Sequence, residues 1–285
     1  MGGNFNYLKG PFPSLATLGN LAEAYRQSDP NSSLMKLGLI GESIVSMMFK
    51  FDNVKEPEDN RAIARIDALQ REGLLPKGVV EVLHLLRKAR NKAAHDGWGD
   101  EATARQFLPV VHSLTGWFAT TYGPVSLTVP EYVLPATGTR APDTHALEQD
   151  EAAQIAADEE KAQAAPAVTK TVRRERSEKA ANQRPRSEAE MRLLIDEQLR
   201  QVGWEADTEA LRHSRGTRPQ VGRNIAIAEW PTDSALANGG TRGFADYALF
   251  VGKQLVAVVE AKATHQDVLN RPRFSAATLR VQALG

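Results

Sequence analysis

The chain contains no cysteine among its 285 residues, so disulfides and cysteine-ligated zinc sites are excluded. Long apolar runs are also missing, and without a run of ~20 apolar residues a membrane span is not expected. The first residues, Met-Gly-Gly-Asn-Phe-Asn-Tyr, lack the charged start and the apolar core of a signal peptide. We therefore expect a cytoplasmic protein that does not contact a membrane.

The formal net charge is zero, because 35 Lys and Arg residues balance 35 Asp and Glu residues. No global field draws the chain to nucleic acid, so any affinity for DNA must come from local basic patches. The hydrophobic content of 42% and the charged content of 25% are ordinary for a globular protein. The length favours about two domains.

Residues 1–123 are predicted to form an all-α helical bundle. Segments of helical character are separated by Pro, Gly, Asn and Asp. Between Val79 and Leu86, apolar residues recur at the spacing i, i+3, i+4, i+7, which indicates an amphipathic helix. The predicted helices are Ser14–Ser28, Ser32–Phe51, Glu58–Glu72, Lys77–Ala94 and Asp100–Tyr122.

Residues 124–186 are predicted to be an irregular exit followed by a charged linker with some helix. The segment 124–142 is rich in Pro, Thr and Gly, Leu147–Gln163 is acidic and Ala-rich, and Lys170–Arg186 is basic. Neither charged half carries enough bulky apolar residues to build a core. One interpretation is a solvated spacer. The alternative is that the basic half contacts DNA phosphates.

Residues 187–285 are predicted to form a second domain. Ser187-Glu-Ala-Glu190 is similar to a capping box, and the helix that follows stops at Gly203-Trp204. A strand is expected at Asn224–Trp230, where Pro231 ends it. Two further apolar strands follow. A helix followed by a sheet indicates an α/β or α+β domain, so the whole chain is expected to be α+β.

Three charges flank the last two predicted strands. Asp246 opens the first strand, and Glu260 and Lys262 end the second, where alternation places both on one face. A two-residue turn at Gly252-Lys253 would set Asp246 opposite Val259 and turn Glu260 away. A three-residue loop or a bulge would set Asp246 opposite Glu260. We predict this second register.

Two carboxylates that meet across a strand pair repel each other unless a cation lies between them. Mg²⁺ prefers such oxygen ligands, polarises a phosphate and lowers the pKa of an attacking water. Lys262 could orient that water or stabilise charge in the transition state. The pattern therefore predicts a magnesium-dependent phosphodiesterase site at Asp246, Glu260 and Lys262. The alternative is an exposed strand end with scattered charges.

Asp246 followed by Glu260-Ala-Lys262 resembles the PD-(D/E)xK nuclease motif. The surrounding residues, over about 187–265, are similar to the N-terminal nuclease region of type I restriction enzyme R subunits. The matching words are Ser187-Glu-Ala-Glu-Met-Arg-Leu-Leu-Ile-Asp, Gly203-Trp204, Glu229-Trp-Pro-Thr232 and Gly243-Phe-Ala-Asp-Tyr247. The resemblance implies a restriction-endonuclease-like core in which Asp246 and Glu260 bind Mg²⁺ and Lys262 is catalytic. It also implies an acid on the first helix, which Glu190 fits as well as it fits a plain capping role.

The same resemblance implies duplex DNA as substrate, partner specificity and methyltransferase subunits, and a role in phage defence. Two departures from the family matter. R subunits continue into a helicase motor, but this chain has no Gly-x-x-x-x-Gly-Lys-Ser/Thr motif, so no ATP site is expected in it. The family nuclease also continues into a helix with Gln and, four residues on, Tyr. Residues 270–285 contain Gln282 but no later Tyr, so we expect the nuclease core to be truncated.

The end of the fourth predicted helix, Arg90-Asn91-x-x-x-His95, resembles the motif of the HEPN superfamily of helical bundles over about residues 30–122. The resemblance implies metal-independent RNA cleavage at a homodimer cleft, with His95 as general acid/base, Arg90 as phosphate clamp and Glu42 as partner acid. The alternative is structural, because a histidine favours a helix C-terminus and Gly97 ends the helix.

Three hypotheses follow. The first is a Mg²⁺-dependent DNA endonuclease segment of a type I restriction R subunit, acting within a larger complex. The second is a HEPN-type ribonuclease. The third is a non-catalytic docking module of a defence system.

Overall fold

The computed structural model describes residues 3–136, 144–184, 186–232, 243–262 and 278–283, and only the backbone of 260–262 and 278–283. Within these ranges it contains eight α-helices and a five-stranded mixed sheet, so the predicted α+β class is confirmed. The chain divides into two compact units, Met1–Ser187 and Glu188–Gly285. In the described part of the chain, no helix has the length and apolar character needed to cross a bilayer.

The first unit contains all five helices predicted for residues 1–123. Their starts and ends agree with the sequence patterns within a few residues, except that the third begins later. There the carboxylate of Asp59 accepts a hydrogen bond from the backbone N–H of Arg61 (3.0 Å), a local turn that competes with helix. The five helices are α1 (Pro13–Ser28), α2 (Pro30–Phe51), α3 (Ala62–Arg71), α4 (Lys77–Asp96) and α5 (Glu101–Tyr122). Two further helices follow in the same unit, α6 (His145–Ala164) and α7 (Lys170–Gln183).

Residues 145–183 differ from the predicted linker, because α6 and α7 pack against the bundle and belong to the first unit. Several of their basic side chains contact the bundle. Lys170 pairs with the carboxylate of Glu72 (2.6 Å), and Arg174 donates to the carbonyl of Glu72 (2.8 Å). These helices bury few bulky apolar residues, and buried polar contacts attach them to the bundle.

One of these polar contacts caps α1. The N-cap position, Phe12, offers no side-chain acceptor to the free N–H groups of the helix start. Asp158 of α6 supplies it, accepting from the backbone N–H of Ser14 (2.9 Å) and from its hydroxyl (2.6 Å). Burial raises the pKa of the Asp158 carboxyl, and the Ser14 hydrogen bonds oppose that rise. Helix α1 therefore depends on α6 for its N-terminal cap.

A buried ion pair anchors α7. Arg173 donates to the carboxylate of Asp52 (2.9 Å) and to the carbonyl of Thr121 (2.9 Å), and its guanidinium lies over the ring of Tyr122. The Tyr122 hydroxyl donates to the other Asp52 oxygen (2.7 Å). The Arg173 and Asp52 side chains are 4% and 0% exposed. Each charge is thus compensated by the other and by hydrogen bonds, as burial requires.

The second unit is a mixed sheet with one helix packed on it. The apolar side of α8, with Ile195 and Leu199, packs on a sheet face that includes Tyr247 and Val259. The opposite face carries a separate apolar cluster that includes Phe250. The elements are α8 (Glu188–Gln201), β1 (Glu205–Ala206), β2 (Asn224–Thr232), β3 (Gly243–Val251), β4 (Gln254–Lys262) and β5 (Thr278–Ala283).

The strands follow the order β1-β2-β3-β4-β5, with β1 and β2 parallel and the other neighbours antiparallel. The prediction that Pro231 ends β2 is wrong, since the strand continues to Thr232. Pairing with β1 involves only Ile225 and Ala226, so Pro231 lies where β2 has no β1 neighbour and its missing N–H is tolerated.

We predict that Arg173→Ala destabilises the first unit by about 3–5 kcal/mol, because it leaves the Asp52 carboxylate buried without its partner. Arg176→Ala, an exposed position on the same helix, should change stability by less than about 0.5 kcal/mol. Urea unfolding followed by circular dichroism measures both. Equal effects of the two substitutions would show that the pair does not anchor α7.

Candidate functional site

The β3–β4 hairpin combines a tight turn with a bulge. Val251 pairs with Gln254, so the loop has two residues, and Gly252 takes the positive φ (61°) that favours glycine in such turns. Two residues further from the turn the register shifts: Phe250 pairs with Leu255, but Leu249 pairs with Ala257. Val256 is therefore the extra residue of a β-bulge.

The bulge sets the register of the two acids. Beyond it, Tyr247 pairs with Val259, and the next step places Asp246 opposite Glu260. The predicted bulged register is thus confirmed, while the three-residue loop is wrong. Alternation assigns both positions to the face away from Tyr247, and the position of Lys262 follows Glu260 by two residues on that face. The Glu260 and Lys262 side chains lie outside the described set.

The β2 position beside Asp246 is also acidic. Ala228 pairs with Tyr247 and Trp230 with Ala245, so Glu229 stands opposite Asp246. Glu229 has a φ of 51°, in the left-handed region that a non-glycine residue adopts only at an energetic cost. On the far side, Glu260 pairs with Arg280 of β5. Trp230 packs against Phe250 on the face of Asp246, so the alternation of β2 breaks at Glu229, and the acid row is defined as positions Asp246 and Glu260 alone.

The Glu229 carboxylate holds two arginines. One oxygen, Oε1, accepts from Arg192 of α8 (3.4 Å) and lies 3.2 Å from a guanidinium nitrogen of Arg212. Arg192 also pairs with Glu188 (2.7 Å), and Arg212 with Glu209 (3.1 Å). The side chains of both arginines are about one-fifth exposed, so solvent reaches the ion pairs around Glu229.

Glu190, the predicted acid of the first helix, lies in the first turn of α8 and is fully buried. Its helix packs on the face of Tyr247, while alternation assigns Asp246 to the other face. The strand register therefore does not bring Glu190 into the acid row, and its role at a metal stays a prediction. Among the described side chains there is no group of three or more His, Asp and Glu placed to hold a metal ion.

A buried network fixes the strand that carries Asp246. The carboxylate of Asp196 on α8 accepts from the backbone N–H (2.8 Å) and the hydroxyl (2.9 Å) of Thr208. The Thr208 hydroxyl also hydrogen-bonds the Tyr247 hydroxyl (2.5 Å). Burial raises the pKa of Asp196 to about 6, and the Thr208 hydrogen bonds oppose the shift. This network ties α8 to β3 one residue from Asp246.

In the first unit the structure brings Arg90 and Glu42 together. The two form an ion pair between α4 and α2, with both side chains about one-third exposed. Gly38 lets Arg90 lie across α2, because a Cβ there would stand only 2.4 Å from the Arg90 Cβ. Glu42, but not Arg90, lines a small cleft of about 20 Å³ that Arg65 and Arg87 also line.

His95 and Asn91 are not part of that pairing. Both are exposed near the end of α4, where Gly97 adopts the left-handed C-cap conformation. Five residues separate Arg90 from His95, a rotation of ~140° around the helix axis, so the two side chains leave α4 in different directions. A joint active site would therefore need a contribution from outside this helix.

The cluster of Arg192, Glu229 and Arg212 lies outside the predicted site residues. Its one signal in the sequence is Glu229, an acid directly before Trp-Pro in a predicted strand. No local sequence pattern marks Arg192 or Arg212, because their shared contact with Glu229 depends on how α8 and the loop after β1 pack on β2.

The chain is similar to proteins of restriction systems. A family model described as the second domain of the type I restriction enzyme EcoKI endonuclease subunit matches residues 205–277, which include all three residues of the predicted nuclease motif. A model for a domain of unknown function (DUF4145) matches residues 20–149. The type I restriction enzyme EcoKI endonuclease subunit of Escherichia coli (strain K12) is 30% identical over 322 aligned residues. That alignment covers 93% of this chain and 27% of the relative. No solved structure matches the chain.

We predict that Asp196 gives the second unit a pH-dependent stability. Its folded pKa of about 6 lies above the ordinary value of ~3.9, so the folded state binds more protons between these values. The free energy of unfolding should therefore fall as pH rises from about 4 to 6, by on the order of 2 kcal/mol. Asp196→Asn should remove this fall, and the exposed control Glu178→Gln should keep it. Urea unfolding at several pH values tests this, and parallel curves for wild type and Asp196→Asn would refute it.

Proposed function

We propose that this chain carries the DNA-cleaving segment of a type I restriction enzyme R subunit, a Mg²⁺-dependent endonuclease that acts on duplex DNA. The similarity to the EcoKI endonuclease subunit supports a restriction-related role. The chain spans about a quarter of that relative, so the activity of the whole protein is part of the proposal. In this proposal the second unit is a restriction-endonuclease-like core with the PD-(D/E)xK motif.

The observation that carries the proposal is the register of β3 and β4. The bulge at Val256 sets Asp246 opposite Glu260, and Lys262 follows on the same face. Two acidic residues at opposite strand positions would be a suitable donor set for a hard divalent cation. A one-residue slip of the register would separate these positions, so the register supports the proposal.

In the proposed mechanism Asp246 and Glu260 hold Mg²⁺, and Lys262 stabilises negative charge at the reacting phosphate. The ion supplies Lewis acidity toward the phosphate and a lower pKa for its bound water. The Asp196–Thr208–Tyr247 network ties β3 to α8 through hydrogen bonds. Because Asp246 precedes Tyr247, the network also fixes the backbone position of Asp246. Glu190 is the proposed additional acid of the site.

The proposed partners are duplex DNA and the specificity and methyltransferase subunits of a restriction system. Recognition of the DNA sequence would belong to the specificity subunit, and ATP would be used elsewhere in a full-length R subunit. In this view the first unit, including α6 and α7, serves as a docking module.

We expect Asp246→Asn to abolish Mg²⁺-dependent nicking of supercoiled plasmid by the chain, lowering the rate at least 100-fold, because one of two metal-binding carboxylates loses its charge. Glu205→Gln is the matched control. It removes an exposed carboxylate two strands away and should leave the rate unchanged. Gel electrophoresis of the plasmid measures the rate, with EDTA to show the metal requirement. Wild-type cutting that persists in Asp246→Asn would contradict the proposed site.

The Arg90–Glu42 pair favours a second candidate function, a HEPN-like metal-independent ribonuclease, with His95 as acid/base supplied across a homodimer. Under this hypothesis Arg90→Ala and His95→Ala should each abolish cleavage of single-stranded RNA in EDTA. Lys92→Ala, next to Asn91 on the same turn, should not. RNA that stays intact with the wild-type chain at high protein concentration would exclude this function.

A further inference from the structure

Phe244, at the start of β3, carries an exposed aromatic ring. Its side chain is 62% exposed, whereas in the described part of the chain every other Phe, Tyr and Trp side chain is buried or half-buried. Burying an aromatic ring is one of the largest hydrophobic gains that a side chain offers, and Phe244 forgoes it. A single exposed apolar residue is common on protein surfaces, so the position of this ring decides whether it has a function.

The ring belongs to the face of the acid row. Residues two apart in a strand share a face, so alternation along β3 assigns Phe244, Asp246 and Phe250 to one side of the sheet. Tyr247 and Leu249, of the other parity, are buried on the side of α8, in agreement with this assignment. A strand rises about 3.3 Å per residue, so Phe244 and Asp246 are separated by about two base steps of a DNA strand.

Trp230 is a second aromatic side chain on this face. It pairs with Ala245 across the sheet, and its indole ring lies 4.8 Å from the ring of Phe250. The imidazole of His213 meets the same indole edge to face, also at 4.8 Å. Phe244, in contrast, makes no ring contact with any residue that the structure describes. The indole is therefore held within the protein, while the Phe244 ring is available to another molecule.

The loop between β1 and β2 adds basic residues to this face. It packs on the same apolar cluster through Leu211, and its segment 210–223 contains four arginines and no acid. Three of these arginines pair with carboxylates, whereas the exposed Arg218 donates to the carbonyl oxygens of His213 (3.0 Å) and Thr217 (2.8 Å). A face that combines an acid pair for a cation, an exposed ring and a basic loop suits a ligand with phosphates and flat bases.

We infer that Phe244 stacks on a DNA base close to the bond to be cut. Paired bases already stack on their neighbours, so a side chain reaches a base face only where the duplex is opened or distorted. The inference therefore specifies the substrate class, which is DNA with a short unpaired stretch at the site of cutting. It rests on the proposed function, because it takes Asp246 and Glu260 as the place of cutting. Phe244 is a substrate-binding residue in this assignment and takes no part in the chemistry.

The test measures binding of two fluorescent duplexes to the 285-residue chain by anisotropy, with Ca²⁺ in place of Mg²⁺. One duplex is fully paired, and the other has a short run of central mismatches. Phe244→Ala should weaken binding of the mismatched duplex about tenfold and that of the paired duplex less than about twofold, because the stacking of one base is lost. Val251→Ala removes an exposed apolar side chain at the other end of β3 and is the matched control, which should leave both affinities unchanged.

Two further substitutions separate stacking from apolar bulk. Phe244→Tyr retains the ring and should bind the mismatched duplex as the wild type does. Phe244→Leu retains apolar volume without a π face and should behave like Phe244→Ala. Because the side chain is 62% exposed, none of these changes opens a cavity, and unchanged thermal unfolding by circular dichroism verifies the fold. A Leu variant with wild-type affinity would overturn the stacking contact.

Cleavage provides a second measurement. In Mg²⁺ the wild-type chain should nick the mismatched duplex faster than the paired one, and Phe244→Ala should remove this preference mainly through a higher KM. Asp246-dependent nicking with an unchanged preference in Phe244→Ala would overturn the inference and leave the nuclease intact. A chain that cuts no DNA but loses its mismatch affinity in Phe244→Ala would support the stacking contact and count against the nuclease.

A protein partner is the competing occupant of the exposed ring. If Phe244 contacts a second copy of the chain, Phe244→Ala should leave both DNA affinities unchanged and reduce self-association in analytical ultracentrifugation. That result would overturn the inference. A wild-type chain that neither binds nor nicks either duplex would contradict both the stacking contact and the nuclease.

Discussion

Strand alternation makes the register of β3 against β4 the constraint on which the second unit depends. If Val256 paired with Leu249 instead of forming a bulge, the two-residue turn would pair Asp246 with Val259 and Glu260 with buried Ala245. An acid would then enter the face that packs on α8, at the cost of burying an unpaired charge. The bulge avoids that cost and brings the two acids to one face. Core packing requires an apolar face toward α8, and the candidate site requires the two acidic positions to be opposite each other. The same register satisfies both.

In the first unit, buried polar contacts are the constraint that fixes the last two helices. Helices α6 and α7 lack the broad apolar stripe of α4, and yet Asp158 and Arg173 fix them through buried hydrogen bonds and an ion pair. Such contacts are worth little on a surface and much more when their removal leaves a buried charge. The helices therefore attach through a few specific side chains rather than through a large apolar area.

The parts of the fold that sequence reasoning recovered are those governed by local rules. Apolar periodicity and turn residues located α1 to α5 and α8, and they located the strands β2 to β4. Long-range polar pairing is invisible to such rules, since nothing near Arg173 in sequence reveals Asp52. The candidate site divides in the same way. Alternation and the motif predicted Asp246, Glu260 and Lys262, whereas the contacts of Glu229 depend on a backbone distortion and on tertiary packing.

The cap of α1 affects the order in which the helices of the first unit become stable during synthesis. Ser14 and Asp158 are separated by 144 positions, so the start of the first helix stays without its acceptor until most of the first unit has been synthesised. Contacts of such long sequence separation form late, because a long loop must close first. The amino-terminal helix on the ribosome would consequently fray at its first turn until α6 emerges, and the bundle would become complete only when that helix arrives.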